Sequence, residues 1–217
     1  GAALLAGAKP FFMPCPKSRN FLPHFESITP EVWKETSIVY VCSPNNPSGS
    51  ILDSSDYDYL TRMADTYNFI IVSDECYSEI YQEESNPPLG ILEWCYRNGR
   101  EGFDKCISVN SLSKRSGVPG LRSGFVAGDK KIIEKYFKYR TYQGGAMSLQ
   151  VQAASIAAWR DEAHVIRNRN HYRQNMSLIE EIFKDKKIKA PEAGFFLWIG
   201  LPIDDIDATK ILLQKGS

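Results

Sequence analysis

Chemically active side chains directly follow three short apolar runs of this sequence. "SPNNPSG" follows residues 38–42, "SDECY" follows residues 69–72, and "NSLSK" follows residues 106–109. These stretches supply amide, carboxylate, phenol, hydroxyl and amine groups, carried by Asn45, Asn46, Asp74, Tyr77, Ser111, Ser113 and Lys114. The three histidines lie outside these stretches, so we expect Lys114 rather than an imidazole to carry protons.

Lys114 lies close in sequence to two cations, Arg115 and Arg122, in the stretch "SLSKRSGVPGLRSG". A lysine that acts as a nucleophile must lose its proton near neutral pH, and burial and neighbouring cations both favour that loss. An amine for an aldehyde, an acid for a pyridinium nitrogen, and an arginine with hydroxyls for a phosphate make up a pyridoxal phosphate site. The residues therefore predict a site for pyridoxal 5′-phosphate (PLP). They leave open whether Arg115 tunes Lys114 or faces a substrate.

Each of these residues also has a purely structural interpretation. Asp74 fits the N-cap of a following helix, and "NNPSG" fits a simple turn. Tyr77 fits a core aromatic residue with its hydroxyl at the rim, while Lys114 and Arg122 fit solvated positions. A site is favoured because all of them follow strand-like runs of one short chain.

Other catalytic motifs match the sequence poorly. Ser111 and Lys114 fit the S-x-x-K of penicillin-binding enzymes, but the S-D-N and K-T-G elements of those enzymes are absent from the sequence. The sequence contains no GxGxxG, Walker A or HExxH motif, and its histidines show no metal-ligand spacing. We therefore expect no metal.

The elements that must position these residues alternate along the chain. Apolar and β-branched runs predict strands near residues 10–13, 38–42, 69–73, 106–109, 125–127 and 195–199. Helical patterns predict helices near residues 53–67, 89–98, 129–140, 147–159, 161–185 and 207–214. Strands that alternate with helices indicate an α/β fold with a largely parallel sheet, and such sheets bind ligands beyond the carboxyl ends of their strands.

The composition narrows the class of protein. A net charge of zero, with no basic stripe, argues against nucleic acid or an anionic membrane as a partner, and no apolar run approaches the length of a membrane span. The five cysteines include no CxxC pair, which favours a reducing, cytoplasmic compartment.

The two ends of the sequence are apolar and helix-like, so we expect the chain to be an internal piece of a longer protein. Residues 1–165 are predicted to form a large domain, and residues 166–217 part of a smaller C-terminal domain that the long helix near 161–185 joins to it.

Taken together, these motifs resemble the fold-type I, class I/II aminotransferases, which use PLP. "SPNNPSG" is similar to their N-P-x-N-P-T-G element, "SDECY" to their D-x-x-Y, and "SLSKRSGVPGLRSG" to their S-x-S-K with an arginine eight residues on. "AGFFLW" is similar to a G-G-F-x-x-W strand of their small domain. The resemblance covers essentially the whole chain and implies a three-layer α/β large domain, part of a small α+β domain, and a homodimer.

The resemblance also implies a role for each site residue. Lys114 attaches to the cofactor aldehyde and then moves the substrate proton, and Asp74 pairs with the pyridinium nitrogen. Asn46 and Tyr77 hydrogen-bond the ring oxygen. The phosphate is held by Ser111, Ser113 and Arg122.

Some features depart from the family pattern. Ser43, Ser48 and Ala193 replace the usual Asn, Thr and Gly. The N-terminal segment and the C-terminal arginine that grips the substrate carboxylate have no counterpart here, so we expect the isolated chain to transaminate poorly or not at all.

The residues after Lys114 are closest to the N-succinyldiaminopimelate aminotransferases of lysine biosynthesis. This similarity predicts transfer of an amino group from glutamate to N-succinyl-2-amino-6-oxopimelate. Two alternatives remain open: a PLP-dependent β-lyase or other aminotransferase of the same fold, and the PLP-binding effector domain of a transcription regulator.

Overall fold

Four strands form a single mixed sheet in the computed structural model, which describes residues 1–186 and 188–216. The strand order is β1-β2-β3-β4; β1 to β3 are parallel, and β4 runs antiparallel to β3. The strands are β1 Ile38–Cys42, β2 Ile70–Asp74, β3 Cys106–Ser111 and β4 Gly124–Gly128. A mostly parallel α/β sheet is what the alternation of elements predicts.

Nine α-helices connect and flank these strands within the described residues. They are α1 Ala2–Leu5, α2 Pro30–Glu35, α3 Ser54–Tyr67, α4 Ile91–Arg97, α5 Leu112–Arg115, α6 Lys130–Tyr142, α7 Leu149–Arg160, α8 Ala163–Ile182 and α9 Asp205–Lys215. The six helices expected from the sequence are all present, with ends shifted by a few residues.

The boundaries of α3 follow from its flanking residues. The carboxylate of Asp53 accepts the backbone N–H of Asp56 at 3.0 Å, and the Asp56 carboxylate accepts the backbone N–H of Asp53 at 3.2 Å. This capping box satisfies two donors that have no partner within the helix. The helix ends at Asn68, which adopts the left-handed conformation with φ of 60°.

The main core lies between one face of the sheet and helices α2, α3 and α4. Val39, Ile71 and Cys106 are laterally paired across three strands and point into this core. Trp33 of α2 stacks on Phe69 with ring centroids 5.3 Å apart. This layer fixes the three parallel strands, and therefore the edge at which they end.

Two predicted strands do not form. Residues 10–13 and 195–199 are irregular, and the side chains of Phe11 and Phe12 are 56% and 86% exposed. A strand needs a neighbour that takes up its backbone hydrogen bonds, and an apolar run alone does not supply one. Just before the second segment, Ala193 forms an isolated β-bridge with Tyr81.

Helix α8 crosses the predicted domain boundary at residue 165. It buries Val165, Arg169 and Met176 against the rest of the chain. The division into two domains stays a prediction.

Among the helices that the structure describes, none is long and apolar enough to cross a membrane.

Candidate active site

The register of the parallel strands brings the predicted site segments to one edge of the sheet. Cys42 at the end of β1 pairs with Asp74 at the end of β2, and Asp74 pairs with Val109 of β3. The ladder continues one step further, because the Ser43 N–H donates to the Asp74 carbonyl at 3.0 Å. The three stretches that follow these strands therefore begin side by side.

Asn46 and Tyr77 meet at this edge. The Asn46 amide Nδ2 donates to the Tyr77 hydroxyl at 3.1 Å. Asn46 is carried on a turn in which the Asn45 N–H donates to the Ser50 carbonyl at 2.9 Å. Tyr77 is buried, and burial is the main reason that the pKa of its hydroxyl is raised. The phenol is therefore neutral at physiological pH and keeps a proton that it can donate.

The Asp74 carboxylate lies next to the thiols of Cys76 and Cys42. Its Oδ1 accepts the backbone N–H of Cys76 at 3.1 Å, which holds the carboxylate at the start of the loop. Burial, followed by the hydrogen bond and charge of Asp74, raises the pKa of the Cys76 thiol to about 12. Burial and Asp74 also raise the pKa of Cys42 to about 11. Both thiols are therefore protonated at neutral pH and act as small neutral neighbours of the carboxylate.

Lys114 projects from the single turn of α5 towards two aromatic rings. Its Nζ lies 6.0 Å from the centroid of the Tyr77 ring and 5.7 Å from that of Phe195. Ser111 caps the turn, since its Oγ accepts the backbone N–H of Ser113 at 3.1 Å. The short helix therefore directs the amine of Lys114 towards Tyr77.

The structure brings together two of the three predicted phosphate ligands. The hydroxyl oxygens of Ser111 and Ser113 lie 2.8 Å apart at the start of α5. The exposed Arg122 instead donates from its guanidinium to the Pro119 carbonyl at 2.8 Å, with a backbone φ of 52°. The chain returns from Arg122 to the serines through Ser123, whose carbonyl accepts the Ser111 hydroxyl at 3.2 Å.

The position of Arg115 is decided by the tertiary structure. Its buried guanidinium donates to the Ala158 carbonyl at 2.9 Å, forms an ion pair with Glu162, and lies 5.1 Å from the ring centroid of Trp159. These partners belong to the end of α7 and the start of α8. Arg115 therefore anchors α5 to α7 rather than facing a substrate.

Phe195 contributes an aromatic ring to the site, which the sequence did not predict. The Phe195 ring lies 5.5 Å from the Tyr77 ring, although 118 positions separate the two residues in the sequence. The only signal in the sequence was the "AGFFLW" stretch, which predicted a strand and gave no indication of a site contact.

The donor set suits PLP in its chemistry. It provides an amine that can attack an aldehyde, a carboxylate at the same edge of the sheet, a phenol paired with an amide, and two adjacent hydroxyls for a phosphate. A family model for "Aminotransferase class I and II" matches residues 2–216. The chain belongs to the class I and II aminotransferases. The cofactor of this family is pyridoxal 5′-phosphate.

Several known proteins are similar to this aminotransferase chain. An LL-diaminopimelate aminotransferase from Aquifex aeolicus is 33% identical over 203 residues, which is 92% of this chain and 51% of that protein. An aminotransferase structure from Neisseria meningitidis is 48% identical with a TM-score of 0.91. The match covers 98% of this chain and 54% of the Neisseria chain. The structure of the aminotransferase AspB of Helicobacter pylori is 37% identical with a TM-score of 0.89. The match covers 99% of this chain and 56% of the AspB chain. The chain spans about half the length of the curated relatives it matches.

Proposed function

We propose that the complete protein containing this chain is a PLP-dependent transaminase with Lys114 as its catalytic residue. The observation that carries the proposal is the placement of the Lys114 amine over the ring of Tyr77. The Tyr77 hydroxyl accepts a hydrogen bond from Asn46. When bound, the cofactor supplies an electron sink for the pair left when the α-proton of the substrate is removed. Lys114 takes this proton on Nζ and then donates it back to the bound substrate and cofactor.

The remaining residues hold and tune the cofactor. The Asp74 carboxylate pairs with the ring nitrogen and keeps it protonated, since an adjacent negative charge favours the charged form. Asn46 and Tyr77 donate to the ring oxygen. Ser111 and Ser113 hold the phosphate. Arg122 joins them when its side chain turns away from Pro119. Its guanidinium suits this role because it can contact two phosphate oxygens at once.

We infer that glutamate is the amino donor and N-succinyl-2-amino-6-oxopimelate the acceptor. The support is the stretch "LSKRSGVPGLRSGF" around Lys114, which is similar to the succinylated-substrate branch of the family. A second candidate acts on unacylated LL-diaminopimelate, and it is favoured by the curated relatives that carry this name. We also infer a cytoplasmic homodimer for the complete protein, from the family resemblance and the five free cysteines.

The role of Lys114 is tested by borohydride reduction of the complete protein loaded with PLP. Wild-type protein should gain the mass of the reduced cofactor on the peptide that contains Lys114, and Lys114→Ala should gain none and lose transamination. Lys135→Ala is the matched control, because Lys135 is exposed on α6 and should retain both properties. Reduced cofactor covalently attached to Lys114→Ala would show that the assignment is wrong.

The substrate is tested by comparing two amino donors in the reverse direction, with 2-oxoglutarate as the acceptor. The N-succinylated LL-diaminopimelate should give a kcat/KM at least about tenfold above that of LL-diaminopimelate itself. A site that hydrogen-bonds a polar substrate group discriminates strongly against an analogue that lacks the group. The opposite ranking would favour the second candidate.

A further inference from the structure

Three successive turns of helix α8 line the surroundings of Lys114. His164, Asn168 and Tyr172 are spaced by four residues and therefore share one face of the helix. Each of them contacts a different part of the lysine environment, namely the residue after the turn, the backbone of the turn, and the ring beside the amine.

The central contact is made by Asn168. Its Nδ2 lies 3.1 Å from the carbonyl oxygen of Lys114 and 3.4 Å from that of Arg115. Helix α5 has only four residues, so its last carbonyls have no partner within the helix. The Asn168 side chain therefore supplies a tertiary cap for the turn that aims Lys114.

The two flanking residues contact neighbours of the same turn. His164 lies between Ser116 and Asp161, with Nε2 at 2.8 Å from the Ser116 Oγ and Nδ1 at 2.8 Å from the Asp161 Oδ2. Tyr172 stacks on Phe195 with ring centroids 5.0 Å apart and planes at 17°. Helix α8 thus touches the residue after α5 and the ring over which the amine lies.

Helix α8 is itself fixed to the loop that follows Tyr77. The buried Arg169 donates to both carboxylate oxygens of Glu84, at 3.1 and 2.9 Å, and to the Glu79 carboxylate at 2.9 Å. Arg173 donates to the Tyr81 carbonyl at 2.9 Å. One helix therefore holds the Lys114 turn and the Tyr77 loop at a fixed separation.

We propose that Asn168 is a positioning residue for Lys114, which sets the direction of the amine by capping the carbonyls of its turn. The inference rests on the proposed function of Lys114. A small rotation of a one-turn helix moves the end of a lysine side chain by ångströms, and such displacements slow reactions that depend on orientation.

The experiment measures how fast the cofactor-free complete protein attaches added PLP, from the growth of the visible absorption band. Asn168→Asp has the same shape but places a carboxylate instead of an amide donor against two carbonyl oxygens. We expect attachment and kcat to fall by about tenfold, with KM for the amino donor unchanged within about twofold. Asn168→Ala serves as a second variant that removes the donor without adding charge, and it should shift both rates in the same direction.

Asn170→Asp is the matched control. Asn170 lies two residues away on α8, is exposed, and accepts from Arg173 through its oxygen, which the aspartate retains. This variant should attach PLP and turn over at the wild-type rate. Attachment rates and kcat per folded molecule that equal wild type in both Asn168 variants would overturn the proposal.

The same assay separates this proposal from the proposed function. Cofactor that stays covalently attached to Lys114→Ala after borohydride treatment would refute the role of Lys114 itself. No covalent attachment to Lys114→Ala together with wild-type kinetics in the Asn168 variants would refute only the role of Asn168.

Discussion

The Cys76 thiol reports on the charge of its neighbour Asp74. Burial and the Asp74 carboxylate together raise the pKa of this thiol to about 12. Because the thiolate is the nucleophile, Cys76 should react slowly with iodoacetamide at neutral pH. This reactivity is independent of any assumption about the substrate and can be measured on the cofactor-free protein.

We predict that Asp74→Asn accelerates the alkylation of Cys76. Removing the negative charge stabilises the thiolate, so the thiol pKa falls and a larger thiolate fraction is present at any pH below 12. Mass spectrometry of the alkylated peptides over a pH series measures the rate. Cys15, which is exposed and outside the site, should react at the same rate in both proteins. An unchanged or lower rate at Cys76 would contradict the placement of the two side chains.

At the scale of elements, the return from α5 to β4 depends on a close approach between strands. Gly124 pairs with Ser111 across β3 and β4, and a Cβ at this position would lie 2.4 Å from the Asn110 carbonyl oxygen. Gly117 has a φ of +66°, a conformation that favours glycine, whereas Gly120 has neither a positive φ nor a neighbour within 4 Å of a Cβ. Gly124 and Gly117 therefore have different physical reasons to be glycine, and the structure shows none for Gly120.

We predict that Gly124→Ala lowers the free energy of unfolding by about 1–3 kcal/mol, because the added methyl group must push β4 away from β3. Gly120→Ala is the matched control and should change the unfolding free energy by less than about 0.5 kcal/mol. Urea unfolding of both variants, followed by circular dichroism, measures the difference. Equal stabilities would contradict the close approach at residue 124.

At the scale of the whole molecule, large apolar surfaces of this chain are uncovered. Helix α6 buries none of its residues and exposes four aromatic side chains, and the β1 face opposite the core exposes Ile38 and Tyr40 by more than half. Exposed apolar side chains in such numbers are typical of contact regions. The four aromatic residues of α6 are Tyr136, Phe137, Tyr139 and Tyr142.

We predict that the isolated 217-residue chain transaminates at least about a hundredfold more slowly than the complete protein. The chain spans about half the length of its relatives, and orientation of cofactor and substrate by surrounding residues supplies much of the rate. The measurement compares kcat of the two proteins at equal folded concentration and saturating PLP. A normal turnover rate for the isolated chain would contradict this prediction.

Much of the fold was predictable because it depends on local patterns. The alternation of β-branched runs with helical periodicity predicted the parallel strands and six of the helices. The two failures, at residues 10–13 and 195–199, are apolar segments that have no strand beside them. A hydrophobic pattern shows only where apolar side chains lie along the chain, whereas hydrogen-bonded neighbours decide whether a strand forms.

By itself, the sequence determined the chemical types of the site residues and their order along the chain, because side-chain chemistry and strand ends are local properties. Only the tertiary structure decided which groups touch. It directed Arg115 to Glu162, placed the Phe195 ring beside the Lys114 amine, and brought Asn168 to the Lys114 carbonyl from 54 positions away. Such contacts depend on how the helices pack on the sheet, and no spacing within the sequence encodes them directly.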